Sequence, residues 1–202
     1  METNKLLLAE LYAAYFNRAP DAAGLKYWVD ELENGVMNFD QIASNWANEQ
    51  QEFTDTYGKD VDNDAFITQV YANVLGREPD AEGAAYWSAE LQNGNIPIDQ
   101  FIQAIVNGAK AETGSASDAV LLNNKAQVGV KVADSGIDDI DFAKKAVAAV
   151  SADVSTVEIV SNLVDMGKDD AEALQEAAAT LVEVQALIAA NASDATASAT
   201  VL

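Results

Sequence analysis

Apolar residues recur every three or four positions along most of this chain, the period of a helix with one buried face. In "LLLAELYAAYF" the stripe is Leu7, Leu8, Leu11, Tyr15 and Phe16, and "FITQVYANVL" repeats it with Phe66, Ile67, Val70, Val74 and Leu75. Each stripe runs into a Pro-Asp pair, Pro20-Asp21 or Pro79-Asp80. Proline keeps the residue before it out of the helical region, and the aspartate can accept the free N–H groups that open the next helix. That helix is predicted to stop near Asn34-Gly35 and Asn93-Gly94, where a left-handed residue ends it. A third helix follows over roughly 39–52 and 97–111, with Pro97 tolerated in its first turn.

The same pattern therefore occurs twice. Residues 11–41 align with 70–100 without a gap, 59 positions apart, with 15 identities in 31. These include Tyr12/Tyr71, Arg18/Arg77, Gly24/Gly83, Trp28/Trp87 and Asp40-Gln41/Asp99-Gln100. The unit is duplicated. Beyond it helical spacing continues, over about 117–134 and 138–150, with Asp138 as a cap. "STVEIVSNLVDMG" follows with a capping box of Ser155 and Glu158 and a stop at Gly167, and a last helix starts at Asp169 and Glu172. No alternating run bounded by hairpin turns suggests a strand. The predicted fold is all-α: helical repeat 1 over 1–57, helical repeat 2 over 58–113, a bundle of about four helices over 114–191, and a flexible tail or linker over 192–202. The opening apolar stretch aligns with the second copy, so it reads as a folded helix that stays in the mature protein, not a cleaved signal. No run approaches the length of a membrane span on this reading.

Charge changes the picture next. There are 33 acidic residues against 11 basic, a formal charge of -22. It is spread along the chain, which repels phosphate backbones and argues against nucleic acid as a partner. The chain has no cysteine and no histidine. That removes Cys/His zinc sites, thiol nucleophiles, histidine bases and Ser-His-Asp triads.

Two readings compete for the motif. Trp28 with Leu32 and Trp87 with Leu91 stand at i, i+4 and would bury one helix face, while Gly24 and Gly83 let another element approach. A binding reading takes Arg18, Asp21, Tyr27, Arg77, Asp80 and Tyr86 as a sugar-contacting set, with aromatic faces for a pyranose and polar groups for its hydroxyls. Packing is favoured for the tryptophans; Tyr27 and Tyr86 point about 100° away and are expected half exposed. Arg18 with Asp21, and Arg77 with Asp80, are expected to pair across the proline turn. "DVDND" puts Asp60, Asp62 and Asp64 at alternating positions, as calcium loops do. Ala65 and Tyr71 stand where an EF-hand needs Gly and Glu, leaving a looser calcium site or helix capping by Asp64. No carboxylate pair stands out as a catalytic acid and base.

The run Y-x-x-x-L-G-R-E-P-D-x-E-G-x-x-Y-W-x-x-x-L-x-x-G resembles a domain of unknown function found in tandem near one end of secreted bacterial surface-layer and hemolysin-like (RTX) proteins. Residues 66–111 match closely, and 7–53 match with Asn17 in place of the Gly before Arg18 and Ala19 in place of an acidic residue. With the helices that trail it, the resemblance covers roughly 6–165. It implies a non-enzymatic, extracellular anchoring module that binds lipopolysaccharide glycan or a neighbouring subunit in a lattice, with calcium assisting and secretion by the type I route. A second resemblance is to the helical domain of phycobilisome linkers, which are generally basic where this chain is acidic. A carboxylate-based glycan hydrolase is the third reading.

Overall fold

The computed structural model describes residues 2–59 and 61–199, with side chains described as far as 192. Among the described residues the chain is helical with no strand, as the periodicity predicts. The first copy supplies α1 (Glu2–Phe16), α2 (Ala22–Glu33) and α3 (Phe39–Glu49), followed by the short α4 (Gln51–Tyr57). The second supplies α5 (Asn63–Leu75), α6 (Ala81–Gln92), a 3-10 turn at Ile98–Gln100 and α7 (Phe101–Lys110). The remaining helices are α8 (Ala116–Ser135), α9 (Ile140–Ala148), α10 (Ser155–Gly167) and α11 (Ala171–Ala199).

Two hydrophobic cores meet at α1. One gathers α1 to α5 and α7, centred on Trp46; the other gathers α8 to α11 around Val128, Phe142, Val160 and Leu181. From Leu8 through Phe16 every residue of α1 is buried, Glu10 included. A helix that is apolar all round belongs inside a fold, and α1 is enclosed by both cores. Its main neighbour is α8. They approach so closely that a β-carbon at Gly129 would sit 3.1 Å from Cβ of Ala9. The C-terminal helices thus pack on the repeats instead of standing apart. The Lys110 ammonium closes the site over Glu10, 2.9 and 3.0 Å from its two oxygens.

The helix that follows each copy completes it. Helix α1 ends at Asn17 and α5 at Gly76, both left-handed (φ 50 and 67), so asparagine does in the first copy what glycine does in the second. Ending a helix leaves carbonyls without partners. The Tyr57 hydroxyl of α4 donates to the carbonyl of Ala14, and the Lys125 ammonium of α8 donates to those of Asn73 and Val74, at 2.7 and 3.3 Å. Ala14 and Asn73 are equivalent positions, 59 apart.

The copies also meet reciprocally where α3 lies against the 3-10 turn and the start of α7. Asp99 accepts from the Ser44 hydroxyl at 2.7 Å, and Asp40 accepts from the Gln103 amide at 2.9 Å. Asp40 and Asp99 are equivalent, as are positions 44 and 103.

Several local expectations are revised. The predicted helix over 39–52 breaks at Gln50, whose extended backbone separates α3 from α4. Asp139, not Asp138, caps α9 by accepting from the Phe142 N–H at 2.8 Å. No Ser155 capping box forms: Asp153 accepts the Ser155 N–H at 2.9 Å, while Thr156 bonds back to the Asp153 carbonyl. Helix α11 remains helical to Ala199, so the segment read as a tail from 192 begins as helix. Over Ala171–Ala192 it is also long and apolar enough, by length and composition alone, to cross a membrane. It nonetheless carries Glu172, Glu176 and Glu183 and sends Ala177 and Leu181 into the second core.

Candidate functional site

Within each copy the motif residues hold one another. Asp21 and Asp80 cap α2 and α6, each accepting from the N–H three residues on, Gly24 or Gly83, at 2.7 Å. Each glycine leaves room for the tyrosine of the preceding helix: a β-carbon at Gly24 would stand 2.7 Å from the Tyr12 hydroxyl, and one at Gly83 would stand 3.1 Å from that of Tyr71. The tyrosine oxygen then meets the motif tryptophan. Trp87 Nε1 donates to Tyr71 at 2.9 Å, and in the first copy Trp28 lies close enough to the Tyr12 hydroxyl to favour its ionised form slightly against burial. The arginine lies over the tyrosine ring, 5.2 Å from the centroid in both copies. Burial pushes the Tyr12 hydroxyl up to about 12, so it stays a neutral donor and acceptor. Tyrosine, arginine, aspartate, glycine and tryptophan recur together because each fixes the next.

The arginine partners lie outside the motif. Arg18 is gripped by both oxygens of Glu52, at 2.6 and 2.9 Å, with Asp21 only at 3.8 Å. Arg77 takes Asp118 instead, at 2.7 Å through one nitrogen and 3.3 Å through another. The expected pairing across the turn is therefore a minor contact for Arg18, and Asp118 is the ion-pair partner of Arg77. Both carboxylates sit in the first turn of the helix after the third, α4 or α8, where a helix N-terminus also favours negative charge. The Asp118 hydrogen bond holds the Arg77 guanidinium charged, above its ordinary range.

The two copies differ in cover. In the first, the Ala19 N–H donates to the Ala143 carbonyl of α9 at 3.2 Å, and Arg18, Ala19 and Pro20 are all buried. Helix α2 buries Leu25, Trp28 and Val29, partly beneath α8. In the second, Glu78 replaces Ala19 and is exposed, and Ala84 and Ser88 replace Leu25 and Val29. Helix α6 buries nothing fully; Trp87 is half buried against Phe101. A cleft of about 440 Å³ opens there, lined by Arg77, Asp80, Trp87 and Asp118 together with Thr113 and Ser115. Its size suits a small ligand.

The structure thus brings Arg77, Asp80 and Trp87 into one cleft and leaves Arg18 and Trp28 sealed, with Asp21 partly exposed at the turn. Tyr27 and Tyr86 are exposed, as expected, each edge-on to its tryptophan at 4.8 and 4.9 Å. Pro20 and Pro79 serve the turns. Of the proposed calcium ligands, Asp60 lies outside the described residues. Asp62, not Asp64, caps α5, and Asp64 accepts from the Ser88 hydroxyl at 2.9 Å. No group of three acidic side chains placed to hold a metal occurs among the described residues. Glu52 and Asp118 escape the sequence reading; their only signal is an acidic side chain in the first turn of the helix that follows each copy, and Lys125, midway along α8, carries no such signal.

Fold and site define an all-helical tandem-repeat protein whose two copies share one internal motif and differ in access. The chain belongs to the family described as Domain of unknown function (DUF4214), which matches residues 3–49 and 43–113. No curated protein and no solved structure matches the chain.

Proposed function

We propose that the chain is a non-enzymatic anchoring module of a secreted bacterial surface protein, holding a surface glycan in the cleft of its second copy. The observation that carries this reading is the open cleft itself: the same motif that is sealed in copy one faces solvent in copy two. Trp87 and Tyr71 offer aromatic surface in the cleft, and Thr113, Ser115 and Asp80 offer groups that pair with hydroxyls. A hydrolase would need one protonated carboxyl and one free carboxylate. Here Asp80 caps a helix and Asp118 grips Arg77, which supports holding over cutting. The -22 charge favours uncharged sugars in the cleft, with calcium as a bridge between two anionic surfaces. Resemblance to tandem domains of surface-layer and hemolysin-like proteins supplies the extracellular setting.

The test is binding to purified lipopolysaccharide with and without its O-antigen, in calcium and in chelator. Trp87→Leu is expected to weaken binding at least about tenfold, and Tyr27→Leu to leave it unchanged. Equal binding by wild type and Trp87→Leu to every preparation would refute the assignment.

A further inference from the structure

We infer that the seam between the two copies is a second binding site, taking an uncharged, hydroxyl-rich chain of the neutral-oligosaccharide class. It does not rest on the cleft of the second copy. Where α3 crosses the start of α7, two adjoining hollows of about 390 and 240 Å³ share Asp40 and Gln100. The α3 side presents the carboxamides of Asn38, Gln41, Asn45 and Asn48. The opposite side adds Asn95, Gln103 and Asn107. A carboxamide donates and accepts at once, as a sugar hydroxyl does, so a row of them matches a polyol better than it matches an ion.

Charge narrows the ligand further. Among the described residues no lysine or arginine lines either hollow, while Asp40 and Glu49 do. Phosphate or uronate would meet repulsion with nothing to offset it. Met37, Ile96 and Pro97 give apolar patches for the C–H faces of a ring.

The seam also holds unfinished hydrogen bonding. The amide oxygens of Asn45 and Gln103 are shut from solvent and accept nothing. Unpaired buried acceptors destabilise a fold, so two of them lining one shared groove call for donors from outside the chain. A small rotation of the Asn45 carboxamide, or of Gln103 with exchange of its bond to Asp40, would present an oxygen to a ligand hydroxyl. The rest of the seam is already organised: Gln100 bridges the Asp40 carbonyl and the Ser44 hydroxyl at 2.9 and 2.6 Å, which fixes the groove's centre before any ligand arrives.

Side-chain amide signals in a ¹⁵N–¹H correlation spectrum read this site directly. Maltohexaose and cellohexaose are the neutral probes and hexagalacturonate the acidic one, each at about 10 mM. At least one neutral probe is expected to move the signals of Asn45, Asn48, Gln100 and Gln103, and hexagalacturonate to move none. The Asn45→Leu/Gln103→Leu protein, which removes two unpaired oxygens together with the exposed Gln103–Asp40 hydrogen bond, is expected to keep a cooperative thermal melt and to lose at least about tenfold in affinity. Asn48→Ala, an exposed change, is expected to weaken binding in the same direction. Trp87→Leu is expected to leave the seam signals and their titration unchanged, whatever it does at the cleft. The proposal is overturned if no neutral probe moves the seam amides, if hexagalacturonate moves them equally, or if both seam variants keep wild-type affinity. It is also overturned if Trp87→Leu abolishes the shifts.

Discussion

Replacing Lys125 with methionine isolates one buried charge and makes its effect readable against pH. The ammonium is buried between α8 and the end of α5, with two carbonyl acceptors and, among the described residues, no carboxylate bonded to it. Burial pulls it down from 10.5 to about 8. Below that range the folded and unfolded chains both carry the proton. Between about 8 and 10.5 the unfolded chain binds a proton that the folded one has released, so stability rises with pH. The whole difference corresponds to about 3 kcal/mol, of which about 2 kcal/mol is recovered between roughly pH 7 and 9.5. The two carbonyls and the negative end of α5 favour the ammonium, and methionine forfeits them at about 1–3 kcal/mol. Near neutrality the two effects offset, and Lys125→Met should differ little from wild type. Urea titrations followed by tryptophan fluorescence, run on both proteins across this range, cancel every other ionisation. The gap between the two curves should widen by about 2 kcal/mol in favour of wild type as pH rises. Curves that stay parallel would show that Lys125 does not release its proton in the fold, and the reasoning fails.

Two further substitutions test the internal logic. Gly24→Ala should cost about 1–3 kcal/mol, because the new carbon meets a tyrosine wedged beside Trp46. Gly83→Ala, with 3.1 Å of room under a lighter cover, should change thermal stability by less than about 1 kcal/mol, since helix propensity offsets the crowding; equal losses would mean that the copies are packed alike. Lys110→Met strands the Glu10 carboxylate, already pushed up by burial, and should cost about 3 kcal/mol at neutral pH. Adding Glu10→Gln should restore most of that loss in denaturant melts, and no restoration would show that Glu10 was never an uncompensated charge.

Much of this architecture was legible because its signals are local. The stripe Leu8, Leu11, Tyr15 repeats the helical period, the Pro-Asp pairs announce caps that Asp21 and Asp80 do form, and Asn34-Gly35 ends α2 with Gly35 left-handed. What escaped is tertiary or a contest between neighbours. Nothing near Arg18 or Arg77 marks Glu52 or Asp118, which approach only when the next helix folds back. Around 151–156 several side chains compete for the same N–H groups, and Asp153 prevails over Ser155 through a network that also uses Ser151 and Thr156. The unequal fate of the copies was written in Leu25 against Ala84, Val29 against Ser88 and Ala19 against Glu78. It becomes readable only once α8 is seen to cover α2 and to leave α6 open.

Enclosing α1 within both cores has a consequence for how the molecule is made. Its first helix is completed by partners more than a hundred residues downstream, so the chain cannot finish folding from its beginning before α8 has been synthesised. The opening segment must wait, exposed and apolar, until α8 arrives.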